Sequence, residues 1–263
     1  MRFRVLLLGF VMLSAAAFGD EARVAALIAG PSGGGGAPLL WFRKDPQTNS
    51  APGGAALTVR RPDDLSARAP DPWGNPDSAF GPSAENPVGA AIAGSRSSDA
   101  LCSDEGTVVM FLKAPEERLG NAIILTRGGY QFAFDLRICG AMLTAIGVTG
   151  DPSSAPKNFK FSAVGPGNWH LIALRWKKKG EDYALSWSLG QLADGAACEE
   201  GEITLRAVGC QSKELELAGR IVKPESSALE LKGGFLNNFA VYDTRLSDAA
   251  LAAIYAAAKQ GLK

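Results

Sequence analysis

The chain has 263 residues, 46% of them apolar and 21% charged, with 27 basic and 27 acidic side chains. That length suits one large β domain or two small ones, and the composition excludes global disorder. A formal charge of zero lacks the basic excess that nucleic-acid binding needs.

Met1 to Gly19 reads as a secretory signal peptide. Arg2 and Arg4 supply its positive start, and Val5 to Leu13 an apolar run too short to span a bilayer. Ala17 and Gly19 are small residues at the spacing of a cleavage site, so the mature chain is expected to begin at Asp20. An uncleaved anchor is the alternative, and the length of the run argues against it. No other stretch is apolar for long enough to cross a membrane. The expected location is secreted, periplasmic or cell-surface.

Asp20 to Leu27 suits a short helix, and Gly30 to Ala37, with Gly33 to Gly36 in a row, a flexible linker. This glycine run follows no strand and lacks the Lys-Ser/Thr ending of a phosphate-binding loop. Residues 20–38 are thus expected to form an N-terminal segment, and residues 39–263 the domain proper. Leu39 to Arg43 and Ala55 to Arg60 have strand character. From Pro62 to Gly89, six prolines recur with little periodicity, as in an insertion or a functional loop.

Strand signals resume at Gly106. Thr107–Lys113, Ala122–Arg127, Tyr130–Ile138 and Ala141–Val148 are short, rich in β-branched and aliphatic residues, and bounded by glycine or proline. Trp169 to Trp176 is apolar on both faces, as a central strand between two layers would be. Lys177–Lys178–Lys179 with Glu181–Asp182 form a charge-balanced hairpin tip. In the return strand Tyr183, Leu185, Trp187 and Leu189 share one face, opposite Ala184, Ser186 and Ser188. Near the end, Gly233–Gly234 feeds a strand from Phe235 to Tyr242 that stops at Asp243. Ser247 is placed to N-cap a closing helix, with Asp248 at its positive end and Leu251, Ile254 and Tyr255 at helical spacing.

Three of these stretches carry a resemblance: Gly106–Phe111, the Trp169–His170 strand with its hairpin, and Gly233 to the terminal helix through Tyr242–Asp243 and Leu246–Ser247. In this order they resemble laminin-G-like domains of the concanavalin A-like lectin/glucanase superfamily, with Phe111 where that family often has tryptophan. The resemblance covers Gly106 to Lys263. It implies an all-β fold: a two-sheet antiparallel β-sandwich, a concanavalin A-like jelly roll, with a short C-terminal helix. It also implies an exported, non-catalytic module that binds a glycan or a protein. A divergent glycoside hydrolase or lyase of the same fold, or a structural module of an envelope assembly, are the alternatives.

The candidate chemistry is sparse. Glucanases of this fold use clustered, alternating acids on one strand, and Glu214 and Glu216 offer two without a third. His170 is the only histidine, so any triad would need it, and no nucleophile elbow accompanies it. No catalytic residue is therefore assigned, and no cofactor is expected. Some laminin-G-like domains bind calcium. Asp135, Asp151 and Asp243 stand near strand ends, but no motif assigns a metal ligand.

Four cysteines in an exported chain suggest disulfides, and four allow three pairings. The expected pairs are Cys198 with Cys210, which are near in sequence and so close a short loop, and then Cys102 with Cys139. The Pro-rich stretch supplies the candidate ligand-binding set, Trp73 with Asp71 and Asp77. A tryptophan held toward solvent offers a flat apolar face to a sugar, and carboxylates can accept from its hydroxyls. The competing reading makes Trp73 the anchor that pins this loop to the sandwich, the commoner need of a long loop.

Overall fold

The computed structural model describes residues 19–30, 36–54, 58–60, 65–83, 90–93, 103–117, 119–127, 135–140, 142–147, 157–193, 198–206, 215–218, 231–260 and 262. The strand that sequence marks as doubly apolar, β11 (Trp169–Lys179), lies in the middle of a sheet. It pairs with β6 (Glu105–Lys113) on one side and β12 (Asp182–Gln191) on the other. Beyond β12 comes β13 (Cys198–Arg206). Beyond β6 come β15 (Phe235–Tyr242), β4 (Ala79–Gly81) and β3 (Ala67–Ala69), and β1 (Leu40–Phe42) also pairs with β15, completing eight strands.

A second sheet of seven strands runs in the order β10 (Lys157–Ala163), β9 (Met142–Gly147), β8 (Asp135–Gly140), β7 (Leu119–Arg127), β14 (Leu215–Leu217), β5 (Ala90–Ala93) and β2 (Thr58–Arg60). All these pairings are antiparallel. The protein is therefore the expected all-β, two-sheet antiparallel sandwich.

Period-two alternation sorts the side chains. Met110 and Leu112 of β6, Ile172 and Leu174 of β11, and Phe239 and Val241 of β15 meet Ile124, Leu125, Leu136 and Leu217 of the second sheet in one buried cluster. The intervening residues of the same strands, Val109, Phe111, Leu171, Ala173, Ala240 and Tyr242, point away from that core. They are buried too, under two helices. These are α1 (Gly19–Ala29), which contributes Val24, Ala25 and Ile28, and α2 (Asp248–Lys259), which contributes Leu251, Ile254 and Ala258. This third layer explains why the central strands are apolar on both faces.

The cap of α2 is as sequence predicts. Ser247 is extended, its hydroxyl accepts from the Ala250 amide at 3.2 Å, and Asp248 sits in the first turn. The helix at α1 also forms where it is expected, slightly longer. It packs on the sandwich itself, and its Glu21 is ion-paired with Arg43 at 2.7 Å.

The Pro-rich stretch departs from expectation. Within its described part, two short strands, β3 and β4, extend the first sheet, with Arg68 opposite Phe80 and Phe80 opposite Leu236. Strands of three residues are too short to display a period of two.

Two consecutive asparagines solve a local problem in β15. Leu236 pairs with Phe80 of β4, whereas Phe239 pairs with Phe42 of β1. Between them the register shifts, and Asn238 takes a left-handed φ of 49°, which asparagine tolerates better than most residues. Both side chains are buried and bonded. Asn238 accepts from the Trp41 indole N–H at 3.0 Å and donates to Asn237 at 2.7 Å. Asn237 donates to the Ser78 carbonyl at 2.7 Å and the Arg43 carbonyl at 3.1 Å. Buried polar groups without such partners would each cost about 1–3 kcal/mol.

Candidate functional site

A groove opens on the outer face of the first sheet, beside α2. Its floor is built from the small and aliphatic side of β11 and β12: Leu171 and Ala173 from one, Ser188 and Gly190 from the other. β13 supplies Glu200 at one rim, and α2 supplies Asp248, Leu251, Ala252 and Tyr255 as the facing wall. The cavity measures about 120 Å³. That is well under the roughly 300–1,000 Å³ of a pocket for a whole small ligand, so it suits one side chain or part of a larger ligand.

The local sequence explains this shape. Along β12 the residues on the groove side of the strand are Ala184, Ser186, Ser188 and Gly190, all small and all buried, and the last two lie beside α2. A Cβ on Gly190 would fall inside the Tyr255 ring, so only glycine lets α2 approach this closely. The Tyr255 hydroxyl donates to the Gln191 carbonyl at 3.2 Å, which holds the ring over the strand. Lys259 stands over the same ring, 5.5 Å from its centroid.

The polar groups of the groove are fixed by their neighbours. Glu200 lies directly across from Ser188 in the β12–β13 pairing, and the Ser188 hydroxyl donates to its carboxylate at 3.3 Å. Asp248 is held from below. The buried Arg175 guanidinium donates to its carboxylate and to the Leu246 carbonyl, while 86% of the Asp248 side chain faces water. The hydrogen bond and charge of Arg175 keep the Asp248 carboxyl below the usual carboxylate range. Further along, Arg245 donates to Ser186 at 3.2 Å and lies 3.8 Å from Glu202. The lining thus carries two carboxylates and no cation.

The residues that sequence singled out lie elsewhere. Trp73 is not held toward solvent: only 6% of it is exposed. Its indole N–H donates to the Ala258 carbonyl of α2 at 3.2 Å, and its ring meets Phe111 edge-on at 5.4 Å. Asp71 is 3% exposed. Its carboxylate accepts from the backbone amides of Trp73 and Asn75 at 2.9 Å and from the Asn75 side chain at 2.8 Å. This is an aspartate-built turn that seats an anchoring tryptophan. Asp77 is exposed, with a left-handed φ of 54°. The indole of this loop thus turns inward against Phe111.

His170 is wholly buried on β11. Its Nε2 lies 3.3 Å from the Gly165 carbonyl, and its Nδ1 has no hydrogen-bond partner among the described residues. Burial pushes its pKa below the ordinary value of 6.5, against the opposing effect of the Gly165 carbonyl. Glu216 sits on β14 in the other sheet, opposite Ala91 and Thr126. Glu214, Asp151, Cys102 and Cys210 lie outside the described residues. Each expected disulfide therefore has one partner there, the others being Cys198 on β13 and Cys139 on β8. Asp135 opens β8 and Asp243 follows β15. Among the described residues, no group of three or more His, Cys, Asp or Glu side chains is placed to hold a metal.

This architecture has counterparts of known structure. The chain shares its fold with botulinum neurotoxin binding domains. The binding domain of botulinum neurotoxin DC, solved in complex with SialylT, superposes with a TM-score of 0.56 at 10% identity, over 84% of this chain and 51% of that one. The same domain in complex with rat synaptotagmin II gives 0.54 at 10% identity, over 84% and 51%. The serotype D binding domain gives 0.55 at 12% identity, again over 84% and 51%. The chain therefore spans about half the length of these domains. No family model matches the sequence, and no curated protein does.

The sequence shows several of the groove residues but not that they meet. Ser188 stands on the small face of its strand and Asp248 in the first turn of its helix, but no motif links Glu200 or Tyr255 to either. One signal could have joined them. A strand whose outward positions run Ala, Ser, Ser, Gly needs a covering element, and the closing helix is the apolar-faced segment nearest the end of the chain.

Proposed function

We propose that this protein is an exported, non-catalytic binding module of laminin-G-like type, which takes a glycan or protein ligand outside the cytoplasm through the groove beside α2. The carrying observation is the groove itself: an apolar floor with carboxylates held in place at its rim, beside a helix that covers part of the same face. The fold supports the reading, since it is shared with domains solved with SialylT and with synaptotagmin bound. The burial of His170 in the core on β11 supports the non-catalytic reading, since a substrate could not reach its imidazole. Export rests on Arg2, Arg4, the apolar run from Val5 and the small residues Ala17 and Gly19. Pairing of Cys198 with Cys210 and of Cys102 with Cys139 would accompany export.

The test uses the exported protein on glycan and extracytoplasmic-protein arrays, beside an Ala252→Trp variant that fills the groove. Saturable binding weakened by the variant supports the proposal. Reducing sugar released from polysaccharides, and abolished by Glu216→Gln, would replace it with the hydrolase reading. N-terminal sequencing should begin at Asp20, and a chain still starting at Met1 would remove the export step. Peptide mapping without reductant that joined Cys102 to Cys198 or Cys210 would overturn the disulfide pairs.

A further inference from the structure

We infer that the groove beside α2 receives the side chain of a lysine from a protein partner, its alkyl stem on the apolar floor and its ammonium at Glu200. The inference rests on the groove being the ligand site and narrows what enters it.

Charge complementarity selects the cation. Glu200 and Asp248 are the charged groups of the lining. Asp248 already has the Arg175 guanidinium against it. Glu200 has only the Ser188 hydroxyl, and among the described residues no ion pair. An uncompensated carboxylate at the rim of an apolar groove attracts an ammonium and repels anions.

Shape selects the stem. The cavity of about 120 Å³ matches a single long side chain. Leu171, Ala173 and Leu251 present aliphatic surface, which lysine covers with its methylenes while its head stays hydrated. A sugar would want an open aromatic face, and the Tyr255 ring is spent on Gly190 and Lys259. The site is also set in advance: Arg175 is buried and positions Asp248, and Ser188 orients Glu200 from the neighbouring strand. Little ordering is then required when a side chain enters.

The probes are three: the blocked peptide acetyl-Gly-Lys-Gly-amide, the same peptide with norleucine for lysine, and methyl β-galactoside. Binding is read by amide chemical shifts of the full mature chain. The lysine peptide should shift Ser188, Glu200 and Leu251 and bind about fivefold more tightly than the norleucine peptide, the upper range for a solvent-accessible ion pair. The preference should shrink in 0.5 M salt, as expected on the order of the Debye length at that strength. Glu200→Gln, a surface change that leaves the melting temperature in place, should erase it. Equal binding of the two peptides, an unchanged preference in Glu200→Gln, or stronger binding of the galactoside overturns the inference. Should Ala252→Trp weaken binding of an array ligand that the lysine peptide does not displace, the inference fails while the binding site stands. Should Ala252→Trp leave array binding untouched, the groove itself is excluded.

Discussion

The phenol of Tyr242 donates to the carbonyl of Ile28 at 2.7 Å, joining the last strand of the sandwich to the last turn of its first helix. The final carbonyls of a helix have no partner within it, so this bond caps α1 from the sheet beneath. Burial pushes the Tyr242 phenol far above its ordinary pKa, and it remains a neutral donor. Tyr242→Phe keeps the ring and removes the donor. It should cost about 1–3 kcal/mol in denaturant unfolding, with faster amide exchange confined to α1. Unchanged exchange in α1 would show that its apolar face alone holds it.

Trp73 ties down the other helix of the same layer. It bridges the Pro-rich loop, Phe111 of β6 and the Ala258 carbonyl of α2. Trp73→Ala should therefore lower stability by roughly 3–5 kcal/mol, as large-to-small changes in cores do. A melting temperature that stayed in place while glycan affinity fell would return Trp73 to a ligand platform.

His170 gives the protein a pH-dependent stability. The folded imidazole is harder to protonate than the unfolded one, because burial disfavours its charge. The unfolded chain thus binds the proton more readily. Stability is full above the unfolded value of 6.5 and declines as pH drops toward the lower folded value. His170→Gln should flatten that decline in denaturation curves taken between about pH 7 and pH 5. Parallel curves for the two proteins would assign the decline to other groups.

Gly106 lies directly opposite Trp176 in the β6–β11 pairing, and a Cβ there would enter the indole ring. The ring is fixed by its own N–H, which donates to the Ser103 carbonyl at 3.0 Å. Gly106→Val should displace the indole and cost about 1–3 kcal/mol, the usual range for overpacking. Tryptophan fluorescence would report the displacement, and an unaltered spectrum with unaltered stability would refute it.

The features legible in the sequence are those made by residues close together along it. The strands β12 and β15 showed in alternation, β11 in a run apolar on both faces, α2 in the spacing of Leu251, Ile254 and Tyr255, and its start in Ser247, because periodicity and capping act within a few residues. Many short strands bounded by turns marked a sandwich or barrel, and the resemblance to laminin-G-like domains implied the two-sheet form. What only the tertiary structure decided depends on pairs far apart in the chain. The sequence showed that β11 is covered on both faces, but not that α1 and α2 are the cover. Trp73 could have faced water, and the Ala258 carbonyl, 185 positions away, draws its indole inward. Asn237 and Asn238 are polar residues within a strand, and tertiary contacts make them the buried joint where β15 changes partners. The groove has the same origin. Ser188, Glu200 and Asp248 carry no shared motif, and a strand register and a helix seated on Gly190 bring them to one rim.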